Sequence, residues 1–479
     1  MSETSNQPPL CVDFDGTLIK SDSLAELFFR ALNRNPISLF ILPFWLLKGI
    51  AYMKTQMALR FSKYITRVPF NEEFLQYLRE QKKHGRKIYL ATACEEDLAR
   101  KLVEPLGIFD EVFGTSPELN LKARNKAGFL KSKFGENGFD YAGNTAHDLA
   151  VWNIARKVIV VNASDSVKSA VEDGFAHKEV MYFDIHSNMF RGFFRSLRIH
   201  QWSKNFLLFV PLVTGHMYTS NLALGRALAA FVLFGICASA TYIFNDLLDL
   251  ESDRAHYNKK HRAIASGALP LEMAFAASLF MIFVAFSGAW LLLPRPFIFG
   301  MGVYTVMTLS YSFFLKKVVL LDVMVLAALY TTRIIVGGQA IESEISFWLL
   351  TFSLFMFVSL AFVKRFVELK FSAPAAEKLM GRGYIAEDTF TIEIMGIASG
   401  FTSVLLYIIY IDRAAMDHYR NPNALISGSI VLLYFICRMW MRANRGIVSS
   451  DPILAALQDR VNYLLAIIIG VLFIAAGPM

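Results

Sequence analysis

The sequence predicts two fold classes in series: an α/β domain over residues 1–184 and an all-α polytopic membrane domain over 206–479, joined by an interfacial linker at 185–205. Three observations carry this division. Up to about Asp184, short apolar strands alternate with helical segments in sequence of mixed charge. From about Phe206, apolar runs of membrane length recur to the C-terminus. Basic residues follow alternate runs, namely Arg254, Lys259, Lys260 and Arg262, then Lys316 and Lys317, then Lys364, Arg365 and Lys370, then Arg438, Arg442 and Arg445. That asymmetry is what the positive-inside rule requires of cytoplasmic loops.

In the first domain, residues from Cys11 to Leu18 read as a buried strand entering a tight turn, with Asp13 and Asp15 at its carboxyl end. Open α/β sheets place their ligands there. A second strand, Lys87 to Ala91, ends at Thr92, and a third, Phe139 to Gly143, ends at Asn144 with Asp148 four residues on. Lys126 opens a helical segment to Phe134, and Lys122 is a second candidate for the same basic role. The order of these four elements resembles the haloacid dehalogenase (HAD) superfamily of phosphatases over roughly residues 8–184, and so implies a Rossmann-like fold with a small helical cap at about 20–85. The resemblance implies that Asp13 attacks phosphorus, and that Asp15 protonates the leaving alkoxide and then activates water. Thr92 and Lys126 would hold phosphoryl oxygens, with Mg²⁺ between Asp13, the Asp15 carbonyl and Asp148. One departure matters: the family's last motif has an acid where this chain has Asn144, which removes a charge from the metal shell.

Within the cap, Pro36 to Tyr52 is apolar but interrupted by Pro43 and too short for a span. Trp45 and Tyr52, followed by Lys48, Lys54 and Arg60, suit a cap lying in the bilayer interface, which favours a lipid-linked phosphate. The polar stretch Met1 to Leu10 carries no cleavable signal pattern, so the domain is expected to stay in the cytosol. Cys11, Cys94, Cys237 and Cys437 are scattered without metal or disulfide spacing and read as small buried apolar residues.

In the second domain, about nine spans are expected, near 206–219, 227–244, 272–293, 297–314, 318–338, 346–363, 392–411, 424–441 and 461–476. The net charge of +8 is accounted for by their basic loops, and nucleic acid is not predicted as a partner. Asn245, Asp246, Asp249 and Asp253 form an N-D-x-x-D-x-x-x-D run at the end of the second span. If that helix continues, the three carboxylates share one face. Carboxylates at membrane depth are retained mainly where they line a polar cavity or hold cations, and Mg²⁺, a hard ion that brings substrate phosphates with it, suits this set.

This run, followed by Arg262 to Pro270, resembles the first motif of the UbiA-type intramembrane prenyltransferases over roughly residues 190–479. In that family two acidic loops face a central cavity, and one binds diphosphate through Mg²⁺. The resemblance thus implies catalytic and metal-binding roles for Asp246 and Asp249, with Asp253 a further ligand and Asn245 and Arg262 beside the phosphates. Where aromatic prenyltransferases carry a second aspartate-rich loop, this chain has Tyr311, Lys316 and Lys317, then Asp322. Cations serve extra phosphates, which a neutral aromatic acceptor lacks. With Lys204 upstream and Lys364, Arg365 and Arg382 downstream, these residues resemble the decaprenyl-phosphate phosphoribosyltransferase branch.

The expectation is a bifunctional bacterial inner-membrane enzyme, with its α/β domain and acidic motif on the cytoplasmic side. Phosphoribosyl pyrophosphate and a polyprenyl phosphate would be joined, and the α/β domain would then remove the ribose 5-phosphate. The alternative is an aromatic, 4-hydroxybenzoate-type polyprenyltransferase for quinone synthesis carrying an unrelated phosphatase. A lipid-binding or transport protein is disfavoured, because it does not need two separate phosphate and metal motifs. Chain length of the isoprenoid and oligomeric state are not encoded legibly.

Overall fold

The computed structural model describes residues 7–115, 120–184, 189–372, 383–413, 419–448 and 452–477. It divides into two compact units: Met1–Ser196 with Asp246–Ala276, and Leu197–Asn245 with Ala277–Met479. The segment Asp246–Ala276, which the sequence places in the membrane domain, therefore packs with the first unit.

The first unit is organised by a six-stranded sheet of β1 (Leu10–Val12), β2 (Ile88–Glu95), β3 (Glu111–Thr115), β4 (Asp140–Gly143), β5 (Lys157–Val161) and β6 (Glu179–Phe183). The order is β3-β2-β1-β4-β5-β6, and every neighbouring pair is parallel. Side chains alternate between two cores. Leu10, Val12, Ala142, Ile159 and Val161 enter one, while Cys11, Tyr141, Val158 and Val160 enter the other. Burial on both faces explains why these strands are continuous apolar runs. Because β1 pairs with β2 on one side and β4 on the other, the strand order reverses between β1 and β4. Asp13 and Asn144 follow those two strands, so they emerge at the crevice where such sheets bind ligands.

The helices Ser23–Arg34, Leu42–Leu47, Ile50–Phe61 and Glu72–Lys83 fill the interval between β1 and β2, where the cap was expected. Asp22 caps the first of them, accepting from the amides of Leu24 and Ala25. Pro43 does not break the cap; it sits in the first turn of Leu42–Leu47, where its missing N–H costs nothing. Trp45 departs from expectation: it is buried, with the Arg60 guanidinium 4.6 Å from its ring, and does not serve as an interface anchor. Among the apolar side chains that the cap does expose are Ile37, Phe40, Phe44, Leu46, Leu47, Tyr52 and Leu59. β2 also runs past Thr92 to Glu95, because a register shift against β3 between Ala91 and Glu95 lets pairing resume.

Six helices among the described residues are long and apolar enough to cross a membrane: Asn221–Leu248, Leu271–Leu292, Leu321–Ile341, Phe347–Phe371, Asp388–Arg413 and Asn423–Asn444. The expected nine are not confirmed. The run at 206–219 is broken into short turns, including Val210–Thr214, while 297–314 and 461–476 correspond to Arg295–Phe313 and Arg460–Ala476, of 19 and 17 residues. Two apolar cores hold the second unit, one around Phe357, Phe362 and Trp440, the other around Phe234, Phe297 and Tyr304. Of the cysteines, Cys11, Cys94 and Cys237 are buried as expected, and Cys437 is exposed.

Candidate functional site

At the carboxyl edge of the sheet, Lys126 stands in the first turn of the helix Arg124–Phe134 and is 4% exposed. Its Nζ donates to Asp13 Oδ1 at 2.8 Å and to the Tyr141 hydroxyl at 2.9 Å, and lies 3.8 Å from Asp148 Oδ1. Lys122 is exposed, so the choice between the two lysines falls on Lys126. Tyr141 donates on to Asp148 Oδ1 at 2.8 Å, and the other oxygen of Asp148 accepts from the amides of Asn144 and Thr145 and from the Thr145 hydroxyl. The Asp15 carboxylate instead faces Ser23, which donates to it from its amide at 2.8 Å and its hydroxyl at 3.0 Å. Thr92 is fully buried, and its Oγ1 accepts from the Cys94 amide at 2.9 Å.

The two aspartates are held unequally. Burial raises the Asp13 carboxyl to about 6, against the pull of Lys126 and with a push from Asp148. Burial raises Asp15 further, to about 8, with Asp22 and Asp13 adding repulsion and the Ser23 bonds opposing. Lys126 is pushed up by Asp13 and Asp148 despite its own burial, so it stays charged. Gly16 closes the turn with φ +72°, and a Cβ there would fall 2.0 Å from Asn144 Nδ2. Asn144 Oδ1 is buried there with no hydrogen-bond partner.

In the acidic segment the helix does not run through the motif. Asn221–Leu248 ends, Asp249 takes φ −90° and ψ 11°, and a second short helix covers Leu250–Ala255. The Asp249 carbonyl opens this second helix, accepting from the Asp253 amide and from the Ser252 hydroxyl. Asp246 and Asp253 meet on Arg262, whose Nη1 lies 3.2 Å and 2.6 Å from their carboxylates. Burial, opposed by Arg262 and reinforced by Asp246, raises Asp253 to about 6. The expected single acidic face is thus two carboxylates sharing a guanidinium, with Asp249 at the break.

Within the second unit, the structure joins Tyr311, Asp322 and Arg365 and adds Glu368 and Tyr384. Arg365, fully buried, donates from Nε to Asp322, from Nη1 to Glu368 and from Nη2 to Tyr311 at 3.1 Å. Tyr384 donates to Asp322. Each of the three guanidinium nitrogens has a partner inside the protein, so Arg365, expected from the sequence beside phosphate, is held in a network of Asp322, Glu368 and Tyr311. Lys204 and Arg333 lie 5.9 Å and 5.5 Å from the Tyr330 ring, and Lys364 lines a small crevice with Tyr330. Lys316 falls in the turn Leu315–Lys317, Asn245 in the last turn of Asn221–Leu248, and Arg382 lies outside the described residues.

Sequence reasoning missed three groups. Arg333 is buried in a membrane-length helix, bonded to Asn205 Oδ1, the Leu329 carbonyl and the Tyr304 hydroxyl; an arginine inside an apolar run was its signal. Tyr141 was read only as strand. Glu26 and Arg30 pair with Arg254 and Glu251 in a largely buried charge cluster drawn from two segments distant in sequence, and no local pattern could find it.

The UbiA prenyltransferase family matches residues 208–446, and haloacid dehalogenase-like hydrolases match residues 10–156. The protein y4nM of Sinorhizobium fredii is 36% identical over 472 residues, 98% of this chain and 91% of that one. The chain belongs to the UbiA prenyltransferase family, with a HAD-like domain at its N-terminus. The decaprenyl-phosphate phosphoribosyltransferase of Mycobacterium tuberculosis is 30% identical over 287 residues, 59% of this chain and 92% of that one. Nodulation protein NoeC of Azorhizobium caulinodans is 31% identical over 274 residues, 56% of this chain and 88% of that one. This UbiA-family chain is a multi-pass membrane protein.

Both families imply Mg²⁺, and the donors present fit a hard cation. At the HAD-like site Asp13 and Asp148 share Lys126, and Asn144, whose backbone amide donates to Asp148, holds a buried side-chain oxygen without a hydrogen-bond partner, so the donors there are oxygens. Among the described residues no three His, Cys, Asp or Glu side chains are already gathered as a metal-holding group. At the acidic segment, Arg262 is a cation already shared by Asp246 and Asp253, marking where positive charge is stabilised.

Proposed function

We propose that the protein transfers the phosphoribosyl group of phosphoribosyl pyrophosphate to a polyprenyl phosphate, and that its HAD-like domain then hydrolyses the ribose 5-phosphate of the product. The observation that carries the first step is the 30% identity to decaprenyl-phosphate phosphoribosyltransferase across 92% of that protein. An oxygen of the lipid phosphate attacks ribose C1 as the bond from C1 to diphosphate breaks. Asp246, Asp249 and Asp253 would hold Mg²⁺, with Asn245 and Arg262 beside the diphosphate. The metal supplies positive charge against the leaving diphosphate. Lys204, Lys316, Lys364 and Arg382 offer cations to the remaining phosphates, and the network of Arg365, Asp322 and Tyr311 holds its neighbours in place.

The second step rests on the unequal pair at the end of β1. Asp13, kept as a carboxylate near neutral pH with Lys126 beside it, attacks phosphorus. Asp15, raised to about 8, still carries the proton that the departing ribose oxygen needs. Once deprotonated, it takes a proton from the water that cleaves the aspartyl phosphate. Lys126 and Thr92 orient phosphoryl oxygens, and Asp13, Asp148 and the Asp15 carbonyl would hold the second Mg²⁺. The cytoplasmic side of a bacterial inner membrane is the expected location, from the basic loops.

Incubating membranes with labelled phosphoribosyl pyrophosphate and polyprenyl phosphate tests the reading against a parallel incubation with 4-hydroxybenzoate and prenyl diphosphate. Label in a polyprenyl-phosphoryl ribose is the expected result. Product only in the second incubation overturns it in favour of an aromatic prenyltransferase.

A further inference from the structure

Four charged side chains from two segments far apart in sequence meet in the first unit, three of them buried and Glu251 partly exposed. Glu26, Arg30 and Arg254 are 1%, 3% and 7% exposed. Arg254 donates to both oxygens of Glu26, from Nη2 at 2.7 Å and from Nη1 at 2.9 Å. The same guanidinium donates to the Ala265 carbonyl at 3.0 Å and to the Arg67 carbonyl at 3.0 Å. Arg30 pairs with Glu251 at 2.8 Å, and Thr66 donates to Glu251 as well. Two positive and two negative groups cancel, which is what lets the cluster be buried at all.

The cluster lies between the two candidate reaction segments. On one side, Glu26 belongs to the helix Ser23–Arg34, whose first residue makes both bonds to the Asp15 carboxylate. On the other, Arg254 directly follows Asp253, and its bond to the Ala265 carbonyl fixes the loop that carries Arg262, the shared partner of Asp246 and Asp253. A second contact lies nearby: Gly267, at φ +73°, packs so closely that a Cβ would fall 2.8 Å from Lys20 Cβ and 3.1 Å from Pro69 Cγ. Lys20 and Pro69 belong to the turn and return segment that follow Asp15, joined by the bond from the Lys20 amide to the Pro69 carbonyl.

We infer that Glu26 and Arg254 are positioning residues for the transfer reaction: the HAD-like domain, apart from any phosphatase chemistry, is the scaffold that sets the segment from Asp246 to Gly267. The inference rests on the proposed reading of that segment as part of the transferase. A bidentate arginine and carboxylate pair fixes direction as well as distance, and a lysine in its place keeps the charge but loses the fork. A domain joined only as a tether gives no reason for a buried bidentate pair at this point.

The test uses the full-length protein in nanodiscs, with Glu26→Gln, Arg254→Lys, Gly267→Ala and the exchanged pair Glu26→Arg with Arg254→Glu. Two quantities are read: transfer from phosphoribosyl pyrophosphate to polyprenyl phosphate, and amide hydrogen exchange over residues 250–267 against 321–341. Expected for Glu26→Gln and Arg254→Lys is at least a tenfold fall in kcat/KM, dominated by KM for the pyrophosphate substrate. Faster exchange confined to 250–267 should accompany it, with Gly267→Ala behaving likewise and the exchanged pair recovering part of both. Wild-type exchange and transfer in Glu26→Gln and Arg254→Lys overturn the inference while leaving the transferase reading intact. If wild-type protein transfers nothing, that reading fails, and exchange alone then decides whether the pair positions the segment. Exchange that rises equally over 321–341 means general unfolding and also overturns it.

Discussion

In the first unit, Lys126 reaches Asp13 and Tyr141 while Asp15, two residues away, is held by Ser23; in the second, Arg365 distributes its three nitrogens over Asp322, Glu368 and Tyr311. Both arrangements bury ionised groups, with different consequences. The first leaves two carboxyls in unequal surroundings, near 6 and near 8, the asymmetry that the proposed phosphatase step would use. The second closes on itself: each guanidinium nitrogen has a partner, and such a network fixes a conformation at the cost of being unforgiving to the loss of one member. Reactive sites and supporting sites are thus told apart by whether the charges are matched, since burial is common to both.

The sharpest break of this comparison is Asp13→Asn. It removes the nucleophile and is expected to lower phosphatase activity by roughly 10⁴-fold or more, as losing a nucleophile does elsewhere. Transfer should continue, so mass analysis of the lipid should show the 5-phosphorylated product accumulating. Identical lipid products from wild type and Asp13→Asn would mean that the HAD-like domain does not act on this lipid. For the acidic segment, Asp249→Ala is expected to cost about 10²- to 10³-fold in transfer, comparable to removing one group that stabilises developing charge. Near-normal transfer by the purified variant would remove this segment from the chemistry.

How far the sequence led differs between the units for the same physical reason. The strand ends preceding Asp13 and Asn144 and the helix carrying Lys126 were legible because each is a local pattern, whereas β2 runs on past Thr92, where the apolar run alone predicted its end. The choice of Lys126 over Lys122 needed the fold, since only packing decides which lysine reaches Asp13. Trp45 was misplaced because an amphipathic aromatic looks alike from sequence whether it faces lipid or a cation inside the cap. The helix break at Asp249 was missed because spacing of three, four and seven assumes continuous helix, and a single residue off helical geometry undoes it. The count of about nine spans rested on apolar composition, which does not distinguish a spanning helix from short turns such as those at 199–219. Clusters assembled from distant residues, such as Glu26 with Arg254, leave no local trace.

Arg365→Met probes the matched network. Leaving Asp322 and Glu368 buried without their cation is expected to destabilise the protein by about 3–5 kcal/mol, the usual cost of breaking a buried pair from one side. Thermal unfolding in detergent should show it, and adding Asp322→Asn should recover part of the loss because a neutral amide no longer needs a counter-charge. A variant as stable as wild type would mean that Arg365 is held for a ligand and not for the fold. Lys316→Ala should be milder, raising KM for phosphoribosyl pyrophosphate by about tenfold with little change for the lipid, the scale of one charge-assisted bond. Equal changes for both substrates would indicate an anchoring role.

The smallest expected effect comes from Asn144→Asp, which restores the acid of the HAD motif and tests whether the unequal carboxyl pair depends on a missing charge. The Asn144 side chain packs against Gly16, its Oδ1 is buried without a partner, and its backbone amide donates to Asp148, so an added carboxylate would bring a further negative charge to the end of the sheet that carries Asp13 and Asp148. A further negative charge strengthens attraction for a divalent cation, so the Mg²⁺ concentration giving half-maximal phosphatase activity should fall by about two- to fivefold. The same charge disfavours ionisation of Asp13, so without saturating metal the acidic limb of the pH profile should move upward from near 6. Both shifts follow from one charge and have opposite consequences for rate at low metal. A metal requirement that does not move, together with an unmoved acidic limb, would show that Asn144 does not border the metal and that its effect on the site is confined to packing against Gly16.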